Sequence, residues 1–235
     1  MEEYLLETRQ LGKCFGSGER EFWVLKDLNV TIPRGKLTIL KGRSGSGKTT
    51  LMNQLGALDT PSTGDVLLEG RSILGMSDKE KTDLRRKKMG FVFQSVALMP
   101  MMTARENVEL AAEICPNSLN ADEVLRSVGL GDRLGNFPAQ LSGGEQQRVS
   151  IARALAKNPK MILCDEPTGA LDYNTGKAVL KLLQDTCRST GKTVVIITHN
   201  SALTQIADRV IRIKNGQAVQ TERCAYPVPV ERIEW

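Results

Sequence analysis

Residues 42–49 (Gly-Arg-Ser-Gly-Ser-Gly-Lys-Thr) have the composition and spacing of a loop that binds the phosphate groups of a nucleotide. The apolar run at 37–40 predicts a buried strand before the loop, and residues 48–55 predict a helix after it. In this order of elements, successive backbone N–H groups surround a phosphate chain at the helix N-terminus. Lys48 would reach the β- and γ-phosphates, and the Thr49 hydroxyl would bind Mg²⁺. The alternative, a glycine-rich turn with a chance lysine, does not explain the flanking strand and helix.

A second chemical feature is the pair of carboxylates at Asp165 and Glu166. Four apolar residues, 161–164, predict a buried strand that ends at this pair. A carboxylate at such an edge can hold the Mg²⁺ that bridges the β- and γ-phosphates, and we assign this role to Asp165. Glu166 would point elsewhere, and would orient or deprotonate a water for attack on the γ-phosphate. Acidic residues are common at strand ends, so this interpretation depends on the phosphate loop.

The third feature is the segment 141–148 (Leu-Ser-Gly-Gly-Glu-Gln-Gln-Arg), which predicts a helix start suited to an anion. Ser142 and Glu145 have the spacing of a capping box. Gly143 and Gly144 would let a phosphate approach the free backbone N–H groups closely. The helix is expected to continue through residue 156 and to end near Asn158-Pro159. An ordinary capped helix is the alternative, but a chain that already has a phosphate loop raises the question of why it needs a second anion site.

The composition is that of one soluble, enzyme-like unit. The chain has 235 residues, of which 40% are hydrophobic and 25% are charged, as is typical of a packed domain. No apolar run approaches the ~20 residues that cross a bilayer, and the first residues lack the features of a secretion signal. The net charge of +5 suits nucleotide phosphates, an anionic membrane surface, nucleic acid, or simply a solvated surface. The scattered cysteines favour reduced packing residues in a cytosolic protein over disulfides or a zinc site: Cys14, Cys115, Cys164, Cys187 and Cys224.

The order of the predicted strands and helices indicates an α/β fold with a largely parallel central sheet. Residues 22–31 and 65–69 predict strands of an antiparallel N-terminal part. The β-branched run at 192–198 predicts a central strand. The pair Asn215-Gly216 predicts a type I′ hairpin.

Helices are expected to dominate the region from about 95 to 158, which lacks obvious strands and predicts an insertion on the α/β body. Capping boxes predict helices near 78–88 and 104–115, and Asn120 would cap a further helix that ends at Gly129. The tail at 223–235 contains two prolines and is expected to be extended.

Taken together, the motifs resemble those of the nucleotide-binding subunits of ABC transporters, over residues 2 to about 222. Residues 42–49 match the Walker A loop, 165–166 match the end of Walker B, and 141–148 match the signature motif. Within the family, the chain is similar to the group that serves lipoprotein release, macrolide export and antimicrobial-peptide resistance. The family implies a P-loop NTPase with a RecA-like core sheet, an antiparallel β subdomain and a helical subdomain in a domain at 1–222.

The resemblance also implies roles for residues outside these three motifs. Gln94 matches the Q-loop glutamine that contacts Mg²⁺ and the attacking water, and His199 matches the switch histidine that touches the γ-phosphate. Phe15 matches the aromatic residue that stacks on adenine, although tyrosine is usual there and Phe22 or Trp23 is an alternative. The nucleotide contacts implied are Phe15, Gly42, Ser44, Gly45, Ser46, Gly47, Lys48, Thr49, Thr50, Ser142, Gly143, Gly144, Glu145 and the D-loop residue Asp172.

Two further positions leave alternatives open. His199 is the only histidine, and a lone histidine is often a packed polar residue, but the exit of a central strand faces the ligand in open α/β sheets. Asn200 stands where the family more often has aspartate. The apolar run 96–102 after Gln94 is either core or, as the family implies, a surface that meets the membrane subunit; its methionines suit an adaptable groove.

The implied function is that of an ATPase that uses ATP and Mg²⁺. Two copies would pair head to tail around two ATP molecules and move a membrane permease, for efflux or mechanotransmission, at the inner face of the cell membrane. A non-transport regulator of a membrane complex is an alternative. A protein acting on nucleic acid or ribosomes is less expected, because such members carry two cassettes, coiled-coil insertions or zinc motifs, so no nucleic-acid partner is expected.

Overall fold

The computed structural model describes residues 3–234, apart from the side chain of Glu19. The first two residues of the predicted domain and Trp235 of the predicted tail therefore lie outside the described residues. The strands are β1 (Tyr4–Phe15), β2 (Phe22–Leu28), β3 (Thr31–Pro33), β4 (Leu37–Lys41), β5 (Thr63–Leu68), β6 (Arg71–Ser72), β7 (Met89–Val92), β8 (Met161–Asp165), β9 (Thr193–Thr198), β10 (Arg209–Lys214) and β11 (Gln217–Arg223). The α-helices are α1 (Lys48–Leu55), α2 (Asp78–Lys88), α3 (Ala104–Glu113), α4 (Ala121–Ser127), α5 (Gly143–Ala156) and α6 (Tyr173–Thr190).

The strands form two sheets, which confirms the predicted α/β class. The central sheet has the order β11-β10-β4-β9-β8-β7 and is parallel from β10 to β7, with β11 antiparallel at one edge. The second sheet is antiparallel, with the order β2-β1-β5-β6 and β3 paired to β1. Both faces of the central sheet are covered, so every residue of β9 is buried, as the β-branched run predicts.

Two apolar cores lie on opposite faces of the central sheet. Alternate residues of one strand enter different cores, since successive side chains point to opposite faces. Ile162 and Cys164 of β8 belong to the core on the side of α3 to α6, whereas Met161 and Leu163 belong to the core on the side of α1 and the antiparallel sheet. The side chains that act at the end of β8 are therefore held from both sides.

Within the described residues, the chain from β7 to β8 contains helices and turns but no strand. The predicted capping boxes of α2, α3 and α5 are present, at Ser77, Thr103 and Ser142. Asn120 caps α4 as expected, by accepting a hydrogen bond from the backbone N–H of Glu123. These local hydrogen bonds satisfy N–H groups that have no partner inside their own helix.

Strands β6 and β7 and helix α6 were not predicted, and three further elements differ from the sequence predictions. The predicted strand 22–31 is two strands, separated by a turn in which Asp27 has a φ of 46°. The longest strand, β1, was not predicted; register shifts and Gln10, with a φ of 48°, interrupt its alternation of buried and exposed residues. The prediction of an extended tail is wrong at Val230–Arg232, which form a 3-10 turn packed on α6.

Candidate functional site

The phosphate loop joins β4 to α1 and is closely shaped by glycine. Gly47, the residue before α1, has a φ of 98°, a left-handed conformation that favours glycine. A Cβ at Gly42 would lie 2.4 Å from the carbonyl oxygen of Ile213, so no larger residue fits there. Lys48 is buried, and its Nζ donates to the carbonyl oxygens of Gly42 at 2.8 Å and Arg43 at 2.9 Å. The lysine therefore lies across the inside of the loop.

The β10–β11 hairpin supports the phosphate loop from outside. The backbone N–H of Gly216 donates to the carbonyl oxygen of Ser46 at 3.1 Å. Asn215 and Gly216 have φ values of 50° and 77°, as the predicted type I′ turn requires. The Ser46 hydroxyl is buried without a hydrogen-bond partner among the described residues. A buried hydroxyl in this state fits a ligand that brings its own acceptor oxygens.

The carboxyl end of β8 faces the start of α1. The hydroxyl of Thr49 donates to Oδ2 of Asp165 at 2.9 Å, which brings together the two residues predicted to hold Mg²⁺. Burial raises the pKa of the Asp165 carboxyl, the Thr49 hydrogen bond opposes this, and the Glu166 charge adds to it. Oxygen donors of this kind suit Mg²⁺, which keeps several waters and uses few protein ligands beside phosphate oxygens. The residues present therefore fit that cation.

Glu166 and His199 meet at the adjoining ends of β8 and β9. One carboxylate oxygen of Glu166 accepts a hydrogen bond from the His199 backbone N–H at 3.0 Å and lies 2.8 Å from His199 Nδ1. Glu166 has a φ of 45°, a left-handed conformation that is costly for a residue with a side chain. Only 15% of the Glu166 side chain is exposed, against 68% for His199. The histidine thus orients a carboxylate that is shielded from bulk water.

Residues of the loops around this pair complete one face of the site. The amide nitrogen of Gln94 lies 3.2 Å from the position that a Cβ would take at Gly169, which is in the turn after Glu166. Asp172 begins α6, and its carboxylate accepts a hydrogen bond from the backbone N–H of Thr175 at 3.1 Å. Hydrogen bonds from the side chain of Thr175 and then from its backbone lower the pKa of Asp172. Asn200 accepts from the backbone N–H of Ala202 at 2.9 Å, so the amide forms the turn in place of the family's aspartate.

The signature segment is built differently from the phosphate loop. Ser142 and Gly143 are exposed at the start of α5. The Glu145 carboxylate accepts from the Ser142 backbone N–H at 2.8 Å and from Arg133 at 3.2 Å. The hydrogen bond from the Ser142 backbone lowers the pKa of Glu145. Among the described residues, none of the hydrogen bonds of 142–145 reaches the phosphate loop. The structure does not bring the two phosphate motifs together within one chain.

Gly144 has a packing role that the sequence did not reveal. It is buried, and a Cβ at this position would lie 1.9 Å from Cγ2 of Thr175 in the first turn of α6. At Gly143 the nearest atom to such a Cβ is 4.0 Å away, on Leu171. The first glycine therefore leaves the helix N-terminus open, while the second allows α5 and α6 to pack closely.

The aromatic candidates lie on the β1–β2 hairpin. Phe15 and Phe22 are paired across the two strands and stack with ring centroids 6.0 Å apart. Lys13 lies over the Phe15 ring, with Nζ 5.1 Å from its centroid. Trp23 packs instead over Gly12, where a Cβ would lie 2.9 Å from the indole. Phe15 and Phe22 thus form one exposed pair, from which Trp23 is separate.

Asn107 is a positioning residue that the sequence analysis did not identify. Its side chain is 1% exposed, and its oxygen accepts from the Met99 backbone N–H at 2.8 Å. Its amide nitrogen donates to the carbonyl oxygens of Met99, Met102 and Thr103. Asn107 thus holds the loop at both ends, and Met101 within this loop is 86% exposed. The sequence signal for this role was a polar residue on the inner face of the capped helix α3.

Comparison with known proteins identifies the family of this fold. The family model described as ABC transporter matches residues 25–169. An uncharacterised ABC transporter ATP-binding protein of Methanocaldococcus jannaschii is 43% identical over 221 residues, which cover 92% of this chain and 98% of the relative. A macrolide export ATP-binding/permease protein of a Shewanella species is 46% identical over 228 residues, which cover 95% of this chain. The match covers only 35% of that relative, so the chain spans about a third of its length.

Solved structures give the same result at the level of the fold. A dimeric ATP-binding cassette in a post-hydrolysis state, bound to ADP and Pi, has a TM-score of 0.84 and 39% identity, covering 93% of this chain and 98% of that chain. A cassette from Clostridium perfringens that is part of an ABC transporter complex has a TM-score of 0.83 and 28% identity, covering 94% of this chain and 89% of that one. In the described part of this chain, no helix has the length and apolarity to cross a membrane.

Proposed function

Because the chain belongs to the ABC transporter ATP-binding family and is an ATPase of that family, we propose that it is the motor subunit of a membrane transport or mechanotransmission complex. Two copies pair head to tail, and each ATP lies between residues 42–49 of one copy and residues 142–144 of the other. The observation that carries this proposal is the exposure of Ser142 and Gly143 at a helix N-terminus whose hydrogen bonds remain local. Such an N-terminus favours negative charge from another molecule.

The residues around the phosphate loop have separate roles in hydrolysis. Lys48 moves its hydrogen bonds from the loop carbonyls to the β- and γ-phosphates when ATP binds. Thr49 and Asp165 would hold Mg²⁺, and Gln94 would contact the same ion and the attacking water. When bound, Mg²⁺ neutralises charge on the β- and γ-phosphate oxygens. The Phe15–Phe22 pair offers the adenine base a stacking surface.

Glu166 accepts the proton of the attacking water. As the water oxygen bonds to the γ-phosphorus, the bond from that phosphorus to the bridging oxygen of ADP breaks, and ADP and phosphate result. His199 holds the Glu166 carboxylate in this structure and turns toward the γ-phosphate when ATP is present. General-base catalysis of this kind contributes about 10²- to 10⁴-fold to the rate.

The variant Glu166→Gln tests both the base and the head-to-tail dimer. We expect it to bind ATP with affinity within about three-fold of the parent and to hydrolyse ATP about 100-fold or more slowly. We also expect it to accumulate as an ATP-dependent dimer. Turnover assays and size-exclusion chromatography with light scattering measure these effects. Normal turnover in the variant would exclude Glu166 as the base, and a monomer at saturating ATP would overturn the shared sites.

The partner of the dimer is proposed to be a membrane permease, which the dimer contacts at the inner face of the cell membrane. The exposed loop that contains Met99 and Met101 is the surface that meets it, because flexible methionine side chains adapt to an apolar partner. The family relative from Shewanella supports this proposal, since its name joins ATP-binding and permease functions in one protein. Export of a substrate and transmission of force are the two forms of motor that this proposal covers.

Affinity purification from native membranes distinguishes this proposal from the alternatives. Recovery of a permease, lost in a Met101→Asp variant but kept in a Tyr226→Asp variant, supports a transport or mechanotransmission motor. Both side chains are largely exposed, at 86% and 90%, so both variants should fold. Recovery of a membrane sensor or cell-wall enzyme would favour a regulatory complex, and recovery of ribosomes or nucleic acid would overturn the membrane assignment.

A further inference from the structure

The C-terminal segment 228–233 is fixed on the surface of α6 although no motif of the sequence accounts for it. Val230 and Ile233 are 0% and 1% exposed and belong to the core shared with α6. The buried Gln184 of α6 recognises the backbone of the segment. Its amide nitrogen donates to the Val228 carbonyl at 3.0 Å, and its oxygen accepts from the Val230 backbone N–H at 3.1 Å. We call residues 228–233 the C-terminal strap.

The end of the strap reaches the first turn of α6. The Ile233 carbonyl accepts hydrogen bonds from the Tyr173 hydroxyl at 3.3 Å and from Lys177 Nζ at 3.1 Å. One turn further along the helix, Lys181 forms an ion pair with Glu231. Residues 173, 177 and 181 recur every four residues and therefore share one face of α6. This face holds the strap along the whole first half of the helix.

The same first turn of α6 contacts the D-loop and the signature segment. Asp172 of the D-loop caps α6 through the backbone N–H of Thr175. The Thr175 side chain packs against Gly144 of the signature segment so closely that no Cβ fits between them. The beginning of α6 thus lies between the strap on one side and the signature helix on the other.

We propose that the strap positions the first turn of α6, and through it the D-loop and the signature segment, for contact with the ATP held by the partner subunit. The inference rests on the proposed head-to-tail dimer. Lys177 and Ile233 are the positioning residues, and neither belongs to the phosphate loop of its own chain. Loosening the strap therefore weakens ATP-dependent dimerisation and leaves nucleotide binding by a single chain unchanged.

The test uses the full chain in the Glu166→Gln background, with ATP as the ligand. Lys177→Met removes one donor to the strap and keeps the apolar stem, and Ile233→Ser removes its buried anchor. Tyr226→Ala is the matched control, because this neighbouring side chain is 90% exposed. Nucleotide affinity of the single chain is measured with a fluorescent ATP analogue at protein concentrations below dimerisation, and the dimer is measured by light scattering across a range of ATP concentrations.

We expect Lys177→Met to raise the dimer dissociation constant roughly five-fold, as for the loss of one or two hydrogen bonds, and Ile233→Ser to raise it further. Affinity of the single chain should stay within about two-fold, and Lys177→Arg, which keeps a donor, should restore dimerisation. Equal dimerisation of Lys177→Met and Tyr226→Ala would overturn the inference. If Ile233→Ser does not fold, the dimer dissociation constant of Lys177→Met alone tests the inference. If the parent protein never dimerises, the proposed function is overturned as well. If the parent dimerises and Lys177→Met dimerises equally well, only the inference about the strap is overturned.

Discussion

The two glycine-containing motifs of this protein, at 42–49 and 142–145, have opposite surroundings. The phosphate loop is held in place by its own chain: Lys48 is buried across it, and a hairpin donates to Ser46. The signature motif presents Ser142 and Gly143 to solvent, and its hydrogen bonds stay within the helical region. One motif is a loop held by contacts with its own chain, and the other is an exposed helix end.

This difference explains why one chain contains both. A loop with a lysine, a threonine and two carboxylates beside it can bind ATP by itself, but its residues Ser44 and Gly45 remain exposed. An exposed helix N-terminus has backbone donors and no ligand of its own. Each motif therefore lacks what the other has, and the proposed second copy would join them. Changes in the two motifs should accordingly have separable effects on binding and on turnover.

The largest effect is expected from Lys48→Ala. The lysine makes charge-assisted hydrogen bonds, and these would be transferred to the phosphates, so its loss should weaken ATP binding by the single chain about 100-fold or more. Titration with a fluorescent ATP analogue measures the affinity. Lys36→Ala is a control, since Lys36 precedes β4 at the opposite edge of the sheet. Unchanged affinity in Lys48→Ala would mean that the phosphate loop does not bind ATP. The contrast between the two motifs would then fail.

Ser142→Arg should reduce the turnover of ATP and leave the binding of ATP by the single chain almost unchanged. We expect ATP affinity of the single chain to stay within about two-fold and turnover to fall roughly 50-fold or more, as when an electrostatic stabiliser is lost from an active site. The large side chain would fill the exposed helix end where the partner's phosphates bind. Ser142→Thr keeps a capping hydroxyl and should retain most of the turnover. Normal ATPase activity in Ser142→Arg would reduce the motif to a well-capped helix.

Gly144→Ala distinguishes a packing role from a ligand role within the signature motif. The added Cβ would overlap Cγ2 of Thr175, so we expect a loss of about 1–2 kcal/mol in the free energy of unfolding. Thr175→Ser removes that methyl group, and the double variant should recover most of the loss. Gly143→Ala should leave stability unchanged or slightly raised, because alanine favours helix and its nearest atom is 4.0 Å away. Chemical denaturation measures all four proteins.

Features with local signals were predicted well from the sequence. The capping box at Ser142, the helix at 48–55 and the hairpin at Asn215-Gly216 depend on residues a few positions apart, and the structure confirms each. The juxtaposition of Thr49 with Asp165 was predictable for another reason. Asp165 ends β8, and Thr49 begins the helix that follows β4, so both lie at the carboxyl edge of a parallel sheet, which is the usual ligand side.

Features that depend on long-range packing were not predictable. Strand β1 was missed because bulges break its alternation, and such bulges are set by the partner strands. The fit of Gly144 against Thr175 joins residues 31 positions apart and leaves no periodic signal. The strap was expected to be extended because the tail contains two prolines, whereas its position comes from Gln184 and Lys177 on a distant helix.

The smallest expected effect concerns the opposite edge of the molecule, at the turn between β5 and β6. Glu69 forms ion pairs with Lys160, Lys88 and Arg34, which precede strands β8, β7 and β4. Hydrogen bonds from Lys160 and Lys88 lower the pKa of Glu69 to about 2, from a usual value of 4.5. Since the carboxylate is favoured in the folded state, its contribution to stability is complete above about pH 4.5 and is lost as the pH falls toward about 2.

Glu69→Gln should therefore lower the free energy of unfolding by about 1 kcal/mol at pH 7, and the difference from the parent should vanish near pH 2. Denaturation at several pH values measures this. Nucleotide affinity should not change, because the charges lie at the amino ends of the strands and the phosphate loop lies at their carboxyl ends. A stability difference independent of pH would mean that Glu69 acts through packing. A change in ATP affinity would mean that the phosphate loop depends on contacts at this edge of the sheet as well as on its own local contacts.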